Sequence, residues 1–177
     1  PEHPPLSKIL AGLAQRFISP KVDATDAAWE KGEQWGFGAK YLYAWNDADR
    51  LIFAARKPGI LLAAVMGLLL FFAARSLYGW KAGCLALALW VLDPDVLAHA
   101  QLVTTDLPVA GLMFLGVYCY FRALHKVTIL NVLLLGLAVG GCLAAKFSGV
   151  LIFPMLFFVG AIFVFSKESG QLMLRGK

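Results

Sequence analysis

Residues 127–145 read VTILNVLLLGLAVGGCLAA and residues 147–166 read FSGVLIFPMLFFVGAIFVFS, with Lys146 the one charged side chain between them. A hydrocarbon layer of about 30 Å takes about 20 helical residues at 1.5 Å each, and these two runs come close to that length. Working outward, further apolar runs occupy Leu107 to Phe121, Ala82 to Leu92 and Pro58 to Ala74, the last of which also comes close to spanning length. Residues 58–166 thereby hold eight of the 27 charged side chains in the 177-residue chain, whereas residues 1–57 hold fifteen. Soluble domains average about half apolar and a quarter charged; here 60% of residues are hydrophobic, 15% are charged and the mean hydropathy is +0.72. One aqueous core cannot bury so much apolar surface, so the expected fold class is an all-α integral membrane protein. A cytosolic enzyme, a secreted disulfide scaffold and a disordered tail are excluded.

The expected organisation is an outer segment over 1–57, five membrane-embedded helices near 58–75, 80–97, 107–122, 127–145 and 147–166, and a closing segment over 167–177. The second run is short. Its eleven residues reach about 17 Å, so it extends through Asp93 or ends within protein. The outer segment opens with an amphipathic helix carrying Leu6, Ile9, Leu10, Leu13 and Phe17 at helical spacing behind Pro4 and Pro5. A looser stretch, Ser19 to Lys40, comes next. A second helix is expected to start near Asn46 as its cap, with Asp49 three residues on. Trp29, Trp35, Tyr41, Tyr43 and Trp45 suit a membrane–water boundary.

The formal charge of +5 does not mark a nucleic-acid binder. It divides as +1 over 1–57, +2 over 58–166 and +2 over 167–177, with no basic stripe. Bases instead collect in alternate connections: Arg75 and Lys81, then Arg122, His125 and Lys126, then Lys167, Arg175 and Lys177. Asp93, Asp95 and Asp106 lie in the others. The positive-inside rule puts the basic set in the cytoplasm and residues 1–57 in periplasm or lumen. Cys84, Cys119 and Cys142 form no CxxC pair and read as small buried hydrophobes. No internal repeat is present, which leaves an inverted-repeat transporter unsupported.

Ionisable groups at membrane depth cost about 2.5–3.5 kcal/mol on insertion scales, so each needs a reason. Asp106 comes after Thr104 and Thr105 at the outer mouth of the third span, where Thr105 or Asp106 could instead cap the helix. His99 and Gln101 share that connection. Asp93 and Asp95 flank a proline and suit a solvated turn. Lys146 stands at an outer turn against the positive-inside trend, either snorkelling or paired with an anion. Arg56 and Lys57 stand at the outer entry of the first span. Bases beside a carboxylate at one interface suit a phosphate-bearing ligand with a group for metal or proton work, and a structural ion-pair network has the same spacing.

Pro1-Glu2-His3-Pro4-Pro5-Leu6-Ser7-Lys8 resembles the HPPLxK element that follows an acidic motif in the first outer loop of protein O-mannosyltransferases. Asp49-Arg50 through Arg56-Lys57-Pro58, then Arg75 through Gly79, is similar to the entry and exit of that family's second span. Leu97 through Pro108, with Thr104-Thr105-Asp106, resembles its outer loop with an acidic residue, and Ala144-Ala145-Lys146-Phe147-Ser148-Gly149 its lysine turn. The resemblance covers nearly the whole chain. It implies a GT-C-type helical bundle that moves a sugar from a polyprenyl-phosphate carrier to a protein, lipid or glycan acceptor on the outer face of a bacterial inner membrane. It further implies Asp106 as a catalytic carboxylate, Arg56 and Lys146 as holders of the donor phosphate, and Glu2, His3 and His99 near donor or metal, with Lys8 structural. A divalent cation (Mg, Mn or Zn) is an implied cofactor; membrane lipid and the lipid-linked sugar are implied partners, and nucleic acid is not. The principal carboxylate of the family would lie ahead of Pro1, so the chain is expected to be an internal, inactive fragment. A polytopic permease or flippase subunit that binds without transforming its ligand is the competing reading.

Overall fold

The computed structural model describes residues 4–166, and among them every regular element is helical. Helix α1 (Leu6–Arg16) begins after Pro5, which stands at its N-cap. It lies along the N-terminal half of α4 (Ala48–Tyr78), tied by Gln15 Nε2 donating to the Leu51 carbonyl at 3.3 Å. Between them the stretch expected to be loose is ordered into two short helices, α2 (Ala27–Glu30) and α3 (Gln34–Ala39), and a π turn over Lys40–Ala44. Asp26 organises it. Its carboxylate accepts from Ala28 N at the start of α2 and from Lys40 Nζ at 2.7 Å. Lys40 and the first-turn amide hold the Asp26 carboxyl below the usual carboxylate range.

Asn46 does not cap α4. Its side chain is already engaged, accepting from Lys21 N and donating to the Lys21 and Tyr41 carbonyls. The cap falls to Asp47, whose carboxylate accepts from Arg50 N at 3.1 Å. From there α4 runs unbroken for 31 residues, through Pro58, so the expected boundary between outer segment and first span is a continuous rod. Pro58 leaves one intrahelical donor missing, which a helix of this length tolerates where neighbours pack on it.

Gly79, at φ +87°, turns α4 into α5 (Trp80–Leu92), a conformation that side chains with a Cβ seldom adopt. The α5 helix returns along α4 with Gly83 against the Phe71 carbonyl and Trp90 Nε1 donating to the Ala63 carbonyl at 3.0 Å. At Asp93 the chain bends by 62° into α6 (Pro94–Ala100). Asp93 causes the start of α6: its side chain accepts from Asp95 N and Val96 N, and Pro94 occupies the first helical position.

Helix α7 (Asp106–His125) and helix α8 (Ile129–Ala145) form the second antiparallel pair. Thr128 caps α8 by accepting from Asn131 N. Lys146 ends α8, a 3-10 turn covers Phe147–Leu151, and α9 (Ile152–Phe165) packs back on α7. The tightest packing lies at this junction, where Ala138, Cys142, Ala145 and Ile152 are fully buried.

Among the described residues, three helical stretches are long and apolar enough to cross a bilayer: Ala48–Tyr78, Asp106–His125 and Phe147–Phe165; the bent α5–α6 pair makes a fourth if counted as one span. The third run therefore reaches spanning length, because its helix takes in Asp106 and continues past Arg122. The fourth does not, because Thr128 delays the start of α8, leaving 17 residues. Only 11% of the most apolar window of Phe147–Phe165 is buried, and Phe157, Phe158, Ile162, Val164 and Phe165 face outward. Such a surface is stable against lipid and not against water. Cys119 and Cys142 are buried as expected, but Cys84 is exposed on the outward side of α5, where the surrounding apolar medium replaces a protein core.

Candidate active site

The first turn of α7 and the last residue of α8 meet because the two helices are antiparallel and start and stop at the same end. Asp106 and Lys146 are brought together there, Lys146 Nζ donating to Asp106 Oδ1 at 2.5 Å across forty residues of sequence. Thr105 stands at the N-cap of α7 in a helical conformation and makes no side-chain capping bond. The Asp106 carboxylate thus serves the lysine and not the helix end, though its place in the first turn also suits the helix dipole. Lys146 is the partnered cation that its position against the positive-inside trend called for. The pair is accessible: the Asp106 side chain is 52% exposed and that of Lys146 28%.

The 3-10 turn after α8 holds Lys146 in place. Gly149 N donates to the Lys146 carbonyl at 2.8 Å, and a Cβ on Gly149 would run into the Cys142 carbonyl. A residue larger than glycine there would displace the turn that aims the ammonium. His99, exposed near the end of α6, lies within electrostatic reach of Asp106. Arg56 is half-buried on α4 and forms no ion pair with another described residue, so the structure does not join it to the Asp106–Lys146 contact. Glu2 and His3, and the basic groups Lys167, Arg175 and Lys177, lie outside the described residues.

Beside the pair, a cleft runs between α1, α4 and the segment leading into α7, lined by Leu10, Pro58, Leu62, Leu107 and Pro108 among others. Ser7 and Thr104 line the same cleft, and both hydroxyl oxygens are buried without a hydrogen-bond partner. Buried hydroxyls are seldom left so. Two in one apolar cleft, Thr104 only two residues before Asp106, form a polar spot whose room, about 20 Å³, suits an ordered water. The sequence alone assigns no role to Ser7. The available signal is a serine on the buried side of α1, one helical turn from Leu10 and Ala11.

The donors among the described residues do not suit the implied divalent cation. No group of three His, Cys, Asp or Glu side chains comes together among the described residues, and one Asp106 oxygen is already taken by the Lys146 ammonium. The described residues do not furnish a coordination shell.

No curated protein and no solved structure matches the chain. The family comparison does match, over residues 48–175, a stretch that begins with α4 and includes both partners of the ion pair as well as the bent α5–α6 helices and the whole α7–α8 hairpin. With its all-helical, outward-greasy architecture and an acid–base pair at one end of its spans, the chain belongs to the dolichyl-phosphate-mannose-protein mannosyltransferase family.

Proposed function

We propose that this membrane glycosyltransferase chain forms part of a site that moves a sugar from a polyprenyl-phosphate carrier to an acceptor hydroxyl or amine, on the outer face of a bacterial inner membrane. The observation that carries the reading is the Asp106–Lys146 contact in a chain of this family. A carrier of this kind is greasy in its tail and anionic at its head, so its site must open to lipid and to water together. A half-exposed ion pair at the mouth of apolar helices has that character.

In the proposed reaction the acceptor oxygen or nitrogen attacks the anomeric carbon as the bond from that carbon to the phosphate oxygen breaks. The electron pair leaves with the carrier phosphate, and the acceptor proton passes to Asp106. Lys146 moves its ammonium from Asp106 to the phosphate, where negative charge accumulates as the bond opens. Arg56, on the neighbouring helix and without an ionic partner among the described residues, adds a second positive charge for the same phosphate. His99 approaches from α6 as a further polar contact to the donor. Helix α1, with Ile9, Leu13 and Phe17 exposed, lies in the interface and roofs the cavity.

The test is incubation of the full-length protein in liposomes with a radiolabelled polyprenyl-phosphate sugar. Release of the carrier phosphate with label appearing on an acceptor is the expected result, reduced at least about a hundredfold in Asp106→Asn. Movement of intact donor across the bilayer with no bond cleaved would assign the chain to the permease reading.

A further inference from the structure

Arg122, Lys126 and His125 collect at the far end of α7, about 30 Å of helix from Asp106. They line a recess of about 340 Å³ together with Ser76, Tyr118 and Thr128. We propose that this recess is a second, separate site that binds a phosphate group, that of an anionic bilayer lipid or of a free phosphate ion.

Charge is the first reason. Among the described residues no carboxylate lines the recess, and no Asp or Glu occurs between Arg50 and Leu92 or between Leu107 and Ser166. Every described acid therefore lies outside the helix segments that reach this end, and neither Arg122 nor Lys126 has an ion pair among them. Two cations on neighbouring turns, uncompensated among the described residues, favour an anion, and a basic pocket between membrane helices is the form a headgroup site takes.

Shape is the second. Arg122 is held over the Tyr118 ring, 5.8 Å to its centroid, which presents the edge of the guanidinium for hydrogen bonding. Ser76 Oγ donates to the Ala73 carbonyl, so in its 2.9 Å contact with Tyr118 the phenol is the donor and fixes that ring in turn. The His125 ring is pinned between Phe121 and Phe163 at centroid distances of 4.5 and 5.1 Å, making a stiff apolar wall. Thr128 Oγ1 accepts from Asn131 N, which leaves its hydroxyl hydrogen to donate outward at the positive end of the α8 dipole. Donors of three kinds thus surround a recess at the lipid boundary.

The experiment uses the full-length protein in detergent, offered phosphatidylglycerol, phosphatidylcholine or inorganic phosphate, with retained lipid read by native mass spectrometry and thermal stability read alongside. Preferential retention of phosphatidylglycerol, falling about thirtyfold in Arg122→Gln/Lys126→Gln, assigns the site to a lipid headgroup, at about fivefold per base. Stabilisation by inorganic phosphate alone, lost in the same variant, assigns it to a free ion. Lys81→Gln, which removes one positive charge outside the recess, leaves either signal intact. Should the double variant fail to fold, raised salt must weaken retention by the unaltered protein. Equal retention of the two lipids with no phosphate effect, or a signal unchanged by the double substitution or by salt, overturns the proposal.

Discussion

Asp106 and Lys146 show how much one side chain can reveal and where that stops. Each is legible alone as an ionisable group that the membrane should not tolerate without cause, but that they serve each other depends on α7 and α8 being antiparallel and of matched ends. The spacing of forty residues does not show it. Ser7 and Thr104 are the opposite case: their types are ordinary, and only their burial without partners marks them. Gly149 is similar, since nothing in its neighbours predicts that a Cβ there would run into the Cys142 carbonyl. Gly149→Ala should therefore lower stability by about 3 kcal/mol, measured by thermal unfolding in detergent, because backbone and not a flexible side chain must give way. Asp26 yields a pH prediction. Its folded-state acidity is strengthened by Lys40, so the contribution of this tie to order in the α2–α3 segment is complete above the ordinary aspartate range and is lost as the pH falls through the lowered value. Trp29 fluorescence should stay flat until that point, and in Lys40→Gln the change should move to higher pH; an unmoved midpoint contradicts the tie.

At the scale of elements, the apolar runs predict where helices lie, and the caps decide their ends. Asn46 is a reasonable cap by residue type, yet its amide is claimed by Lys21 and Tyr41, the first of them distant in sequence. The short second run predicts either a longer helix or an end within protein; Asp93 and Pro94 make it a bend of 62° into α6. That bend is a local product of one carboxylate accepting two amide hydrogens. Asp93→Ala should cost about 1 kcal/mol and fray α6, seen as faster amide exchange over 95–98 with α5 unaffected. Protection unchanged at those amides would mean that packing, and not the cap, holds α6. The order in α2 and α3 is not legible in the sequence because four- and six-residue helices carry too few residues to show a period.

For the whole molecule, the charge pattern and the structure divide the helix ends in the same way: acids and Lys146 toward one end, Arg122, His125 and Lys126 toward the other. The fold class is therefore legible from composition, while the site is legible only as a set of candidates, of which Asp106 and Lys146 meet, His99 comes near and Arg56 stands apart. The measurement that bears most directly on the central claim is steady-state sugar transfer by the full-length protein, with kcat and KM for the lipid-linked donor resolved in Asp106→Asn and in Lys146→Ala. If the pair divides the work as proposed, Asp106→Asn lowers kcat at least about a hundredfold with little change in KM, and Lys146→Ala raises the donor KM about tenfold or more as well as slowing turnover. Unaltered kcat and KM in both variants would show that the contact between α7 and α8 only holds the helices together.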